Sequence, residues 1–298
     1  MQSGEPMESR PLVMTRAAQP PGPVLAIAIA VLSQNFGAAF AKSIFPTAGA
    51  AGVATLRIAC AALVLLAINR PWRNPMDRAR SGDLLIYGLV LGSMNLLIYG
   101  AFARIPIGIA VAIEATGPLL VVLLASRRLL DLLWLALTAL GLSLLLPLKV
   151  SWASLDPLGV ALAAGAGLCW ALYIWFGKRV SSMSSGATVT WGMTIAAVLA
   201  LPIGVSTAGS VLLQPEILLM GLAVGVFSSV VPYWLELRAL RNLAPRVFGI
   251  LVSSAPAVGA LAAFIVLGER LLPIHWVAIF CIVVACAGSA VTHAKRQG

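Results

Sequence analysis

The sequence predicts an all-α integral membrane protein whose ten transmembrane helices form two inverted five-helix repeats. Three observations predict it. Charge is scarce: of 298 residues, 60% are hydrophobic and only 10% are charged, against about 25% charged in an average soluble domain. Apolar stretches long enough to cross a bilayer, about 20 residues each, follow one another with short connections. Small motifs also recur in the same order in the two halves of the chain. The first observation excludes a soluble enzyme, a disordered chain and a disulfide-rich module, because so few charges cannot cover a water-facing surface.

The ten stretches lie near 24–42, 48–69, 84–103, 106–125, 131–148, 157–177, 187–208, 217–236, 246–267 and 272–292. Residues 1–22, rich in Pro and polar side chains, are expected to be a flexible cytoplasmic tail, and 293–298 a second one. The first stretch has a rival reading. Arg10 and Arg16, then Val24–Leu32, then Ala39-Phe40-Ala41 imitate the three regions of a cleaved signal peptide. Cleavage would leave an odd number of spans, so the segment is retained as the first helix. The four cysteines, Cys60, Cys169, Cys281 and Cys286, fall inside spans without metal-ligand spacing and read as small buried hydrophobes. No cofactor is expected.

The net charge of +10 is explained once the charges are placed. With the N-terminus inside, the cytoplasmic segments hold Arg10, Arg16, Arg70, Arg73, Arg78, Arg80, Arg127, Arg128, Lys178, Arg179, Arg238, Arg241, Arg246, Lys295 and Arg296. The opposite side holds Lys42, Arg104, Lys149 and Arg270, a ratio of fifteen to four with Arg57 left inside a span. The positive-inside rule sets both termini in the cytoplasm. Basicity here is topology, and nucleic-acid binding is not needed to account for it.

The repeats are short but colinear. GLVLG at 88–92 parallels GLAVG at 221–225, FAK at 40–42 parallels FGK at 176–178, and Thr55, Ala61 and Ala62 fall on Thr190, Ala196 and Ala197. Residues 23–149 and 156–292 are therefore read as the first and second five-helix repeats. With five helices per unit, the second copy enters the membrane from the opposite side, the inverted design that supports alternating access. Gly88, Gly92, Gly221 and Gly225 are read as helix-packing positions, since glycines four apart let backbones approach.

Ionisable groups deep in a span need a partner or a function. At 1.5 Å rise per residue, Arg57 and Glu114 both fall roughly 12–14 Å below the outer membrane face. Asn95, Gln34 and Asn35 come to the same level, which suggests a shared cavity. For Arg57 three readings are open: it snorkels outward, it pairs with Glu114, or it contacts a substrate. Glu114, counted as the one deep carboxylate, is either functional or a buried structural partner. Tyr99 and His275 are read as packing and interfacial residues. Pro118, Pro232 and Pro256 mark helix kinks or gating points, because proline frees a carbonyl one turn earlier.

The stretches AKSIFPTAGAAGVATLRI (41–58), YGLVLGSMNLLIYGAFARIPIGIAVAIEATGPL (87–119), GAGLCWALYIWFGKR (165–179) and PYWLELRALRNLAPRVFGIL (232–251) carry a family resemblance. They resemble the EamA-type, ten-helix branch of the drug/metabolite transporter superfamily, and within it the bacterial threonine/homoserine exporters. The resemblance covers about residues 24–292. It implies an inner-membrane exporter of small neutral amino acids, threonine and homoserine foremost, working by alternating access and driven by the proton gradient. Its partners would be the amino-acid substrate, protons and bilayer lipid. A broad drug or metabolite exporter is the alternative; a channel or a membrane enzyme is remote. Lys42, Arg57, Asn95 and the Glu114–Pro118 stretch match the family pattern. One position departs from it: Ala255 stands where the family often has an acidic residue before the proline of span nine.

Overall fold

The structure, a computed structural model, describes residues 22–42, 44–73, 81–105, 107–126, 129–145, 155–267 and 272–294. The expectations for the two tails concern residues almost entirely outside these. Every regular element among the described residues is helical. Seven helical stretches are long and apolar enough to cross a membrane, and three shorter apolar ones complete the ten spans.

Spans one to three are α1 (Pro23–Lys42), α2 (Phe45–Asn69) and α3 (Ser81–Phe102). Span four is broken into α4 (Ile107–Glu114) and α5 (Thr116–Ala125), and span five is α6 (Leu129–Leu145). Spans six and seven are α7 (Pro157–Val180) and α8 (Ser185–Ala208). Span eight runs as α9 (Pro215–Gly225), a π-helical segment (Val226–Val230) and α10 (Val231–Asn242). Span nine is broken into α11 (Pro245–Val252) and α12 (Ala255–Leu267), and α13 (Pro273–Ala294) is span ten.

Local chemistry sets several ends. Asp156 caps α7 by accepting from the Leu158 N–H at 2.9 Å, with Pro157 in the first turn, where its missing donor costs nothing. Arg70 closes α2 in the left-handed region (φ 42°) and returns its N–H to the Leu66 carbonyl. His275 Nδ1 accepts from the Leu272 N–H at 3.3 Å, so this side chain serves the start of α13.

The helices pair in a regular way. α2 packs on α8, α6 on α13 and α5 on α11; α3 packs on α7 and α8, while α1 packs on α10 and α2 on α9. Spans four and six touch, as do nine and one. This set of partners is unchanged when each span of the first five is exchanged with its counterpart five spans later. Glycines make the central crossings possible. A Cβ on Gly92 would stand 2.9 Å from Ala196 Cα in α8, and one on Gly225 would stand 3.0 Å from the Arg57 carbonyl in α2. Outward-facing Leu25, Ile29, Leu63, Leu124 and Phe280 are exposed, as a lipid-facing surface requires. The core instead centres on Tyr87, Tyr173 and Tyr233, each buried.

Candidate functional site

Arg57 lies in the middle of α2 and is 3% exposed, so its head does not reach an interface. Nη1 donates to Ser228 Oγ at 3.0 Å and Nη2 donates to Asn95 Oδ1. The guanidinium stands 5.0 Å over the Tyr99 ring, a cation–π contact that gives Tyr99 more than a packing role. Asn95 is itself held: Nδ2 donates to the Leu91 carbonyl at 2.8 Å and to Tyr233 Oη at 3.1 Å. Ser228 Oγ donates onward to the Gln34 carbonyl at 3.3 Å. One buried cation thus ties α1, α2, α3, the π segment and α10 together.

The π segment makes this geometry. Its wider turn places Ser228 and Ser229 in the interior, both fully buried, and π-bulges often mark functional positions. A Cβ on Gly37 of α1 would stand 2.8 Å from Ser228 Cβ, so glycine is needed where α1 crosses the bulge. Pro232 follows in the first turn of α10. An open, apolar groove of about 360 Å³ lies between α1 and α9, walled by Ser33, Phe36, Phe40, Val224 and Phe227 and by none of Arg57, Asn95 and Glu114.

Glu114 ends α4 at the break in span four, half-buried and within electrostatic reach of Arg57. Among the described residues it forms no ion pair or hydrogen bond through its carboxylate, and Arg57 is held by neutral groups instead. The break itself packs on α7. A Cβ on Gly167 would stand 2.8 Å from the Glu114 carbonyl oxygen, and one on Gly117 would collide with the Gly167 backbone. The Glu114 carbonyl therefore faces a helix backbone. Span nine breaks in the same way at Ser253–Ser254, just before Pro256, with both hydroxyls returned to carbonyls of the preceding turn.

The structure brings Arg57 and Asn95 into contact, reaches Gln34 through its backbone only, and sets Glu114 nearby. Asn35 stands apart, donating to the Val31 carbonyl at 2.8 Å. A second carboxylate besides Glu114 lies in the interior. Span eight continues past 236 to Asn242, and Glu236 is 2% exposed, accepting from Tyr173 Oη at 2.8 Å. The signal was present in the apolar stripe Tyr233, Leu237 and Leu240, on whose face Glu236 falls, but Arg238 and Arg241 make the helix look finished. Asp131 is also buried, with Arg246 Nε at 3.6 Å.

A ten-span helical bundle with a cation and carboxylates held in its interior has the architecture that many transport proteins use. The EamA-like transporter family model matches residues 157–291. The threonine/homoserine exporter RhtA of Salmonella typhimurium LT2 is 46% identical over 270 residues, covering 91% of this chain and 92% of that protein. Its Escherichia coli K12 counterpart is 44% identical over 275 residues, covering 92% and 93%. The chain belongs to the EamA-like transporter family. A solved crystal structure shares the fold at a TM-score of 0.76 and 17% identity, covering 93% of this chain and 99% of that one.

Proposed function

We propose that the protein exports threonine, homoserine and similar small neutral amino acids across the bacterial inner membrane. The motion is alternating access between two inverted five-helix repeats, 23–149 and 156–292, driven by inward proton flow. The principal helix pairs support the repeat, because an exchange of the two halves leaves that set unchanged. The relatives' names support the substrate class.

The observation that carries the binding chemistry is the buried guanidinium of Arg57, held by neutral acceptors with its Nε unpartnered among the described residues. A buried cation without a counter-ion is a receptor for an anionic group. It takes the substrate carboxylate, while Glu114, close by and free of any ion pair, takes the ammonium. Asn95 and Gln34 offer amide groups for the substrate hydroxyl. Glu114 binds a proton when the substrate leaves and gives it up when the next ammonium arrives. The test is efflux of radiolabelled threonine and homoserine from loaded vesicles, with and without a pH gradient. Gradient-stimulated efflux of both is expected. Efflux of unrelated hydrophobic toxins, with no movement of either amino acid, would replace this reading with a broad drug exporter.

A further inference from the structure

Glu236 is the buried acid that this reading leaves without a role. Its carboxylate accepts one hydrogen bond, from Tyr173 Oη at 2.8 Å, and enters none of the ion pairs among the described residues. The groups facing it are tyrosines. Tyr173 of α7 stacks on Tyr87 of α3 with ring centroids 5.3 Å apart and meets Tyr233 of α10 edge-on at 5.8 Å. The nearby cations are engaged elsewhere. Lys178 Nζ donates to the carbonyls of Leu240, Arg241 and Leu243, the Arg238 guanidinium lies 5.4 Å over Trp234, and Arg246 of α11 faces Asp131. α8, the π segment and α1 from Pro23 to Ala41 contain no acidic, basic or histidine residue. A carboxylate so enclosed is costly to keep ionised.

We propose that Glu236 is a proton-binding site of the transport cycle, connected through Tyr173 and Tyr233 to the Arg57–Asn95 hub. The proposal rests on the proton-driven reading above and deepens it. One proton adds to the carboxylate from water on one side, giving the neutral acid, and leaves to the other side; no electron moves. The ionised group accepts from Tyr173. Once protonated, its O–H donates to Tyr173 Oη, and the Tyr173 proton needs a new acceptor. The Tyr87 hydroxyl, buried beside it and not donating to any other group among the described residues, fills that role. Reorienting Tyr173 presses on Tyr233, whose hydroxyl sits on Asn95 at 3.1 Å. Glu236 thereby supplies a carboxylate from the second half of the chain, in span eight, where Ala255 of span nine offers none.

Infrared pH-difference spectra of the full-length protein in liposomes test this without any substrate. The wild type should show a carboxylic-acid band that Glu236→Gln loses and Glu114→Gln keeps. Tyr173→Phe, which removes that hydrogen bond, should move the pH midpoint of that band. A spectrum unchanged by Glu236→Gln overturns the site, and so does an unmoved midpoint in Tyr173→Phe should Glu236→Gln fail to fold. In the same liposomes, Glu236→Gln should lose gradient-driven threonine efflux; full efflux overturns its part in coupling. If the wild type moves no threonine yet the band behaves as stated, the substrate reading fails and the proton site stands.

Discussion

Arg57 and Glu114 lie within electrostatic reach of each other yet form no ion pair among the described residues, and that decides what each is free to do. Arg57 donates to Ser228 and Asn95, so removing the charge of Glu114 does not strand it. Glu114→Gln should therefore insert and unfold as the wild type does while losing gradient-driven efflux in loaded vesicles. Full gradient-driven efflux by that variant would sink the carrier role. A drop in stability of about 3–5 kcal/mol, recovered by adding Arg57→Gln, would instead make Glu114 the counter-charge. A second residue, Asp156, speaks to pH. Arg104 donates to it at 3.0 Å, and the Leu158 N–H donates as well; together they hold its carboxyl below the ordinary carboxylate value. A lowered folded value means that the stabilisation is complete above the unfolded value, near 4, and fades as pH falls through the folded one. Because the pair is exposed, the effect is small. The melting midpoint of the wild type should exceed that of Asp156→Asn at pH 7, and the gap should close in acid. A gap that stays constant down to pH 3 would show that the carboxylate's charge is not what stabilises this turn.

At the scale of elements, glycines decide how close helices come. Gly92 of α3 faces backbone: an added Cβ would stand 2.9 Å from Ala196 Cα, which has no flexible end to move aside. Gly92→Val should cost about 1–3 kcal/mol through overpacking, read as a lower melting midpoint in detergent. Gly100→Ala on the same helix, where the nearest atom would be Leu162 Cδ1 at 3.4 Å, should be nearly silent. Equal effects at the two positions would remove the close-packing account. The spans themselves were legible in the sequence because a bilayer demands a length of apolar residues, and composition reports it directly: 24–42 became Pro23–Lys42, and 187–208 became Ser185–Ala208. The end of span eight was not legible. Arg238 and Arg241 lower the local hydropathy, although one face of α10 stays buried through Leu240. Nor was the π segment legible, since Ser228 and Ser229 before Pro232 read as an ordinary kink. What widens that turn is tertiary: Gly37 and Gly225 admit it, and Arg57 docks on it. The hub was half visible for the same reason. Arg57 and Asn95 announce themselves as polar groups in apolar helices, whereas Tyr233 and Ser228 enter only when span eight folds against α2 and α3.

For the molecule as a whole, the open question is which way each half faces the membrane. Two ion pairs stand near opposite ends of α7: Arg104 with Asp156 at 3.0 Å beside its start, and Arg179 with Asp83 at 3.6 Å in its last turn. The first joins the turn after α3 to the start of α7, and the second joins the start of α3 to the end of α7, so spans three and six run antiparallel. If each half contributes five spans, an odd number, the second half must enter from the side opposite to the first. The excess of Arg and Lys at the ends of spans two, four, six and eight and just beyond them is then expected to put those ends, and both termini, in the cytoplasm. Single cysteines in a background lacking Cys60, Cys169, Cys281 and Cys286 test this directly with a membrane-impermeant thiol reagent. Positions within 1–20, 72–80 and 293–298 should react only when the cytoplasmic face is opened, while a cysteine at Asp156 should react in intact spheroplasts. Termini labelled from opposite sides would require an odd number of spans, and neither the ten-span count nor the inverted repeat would survive that result.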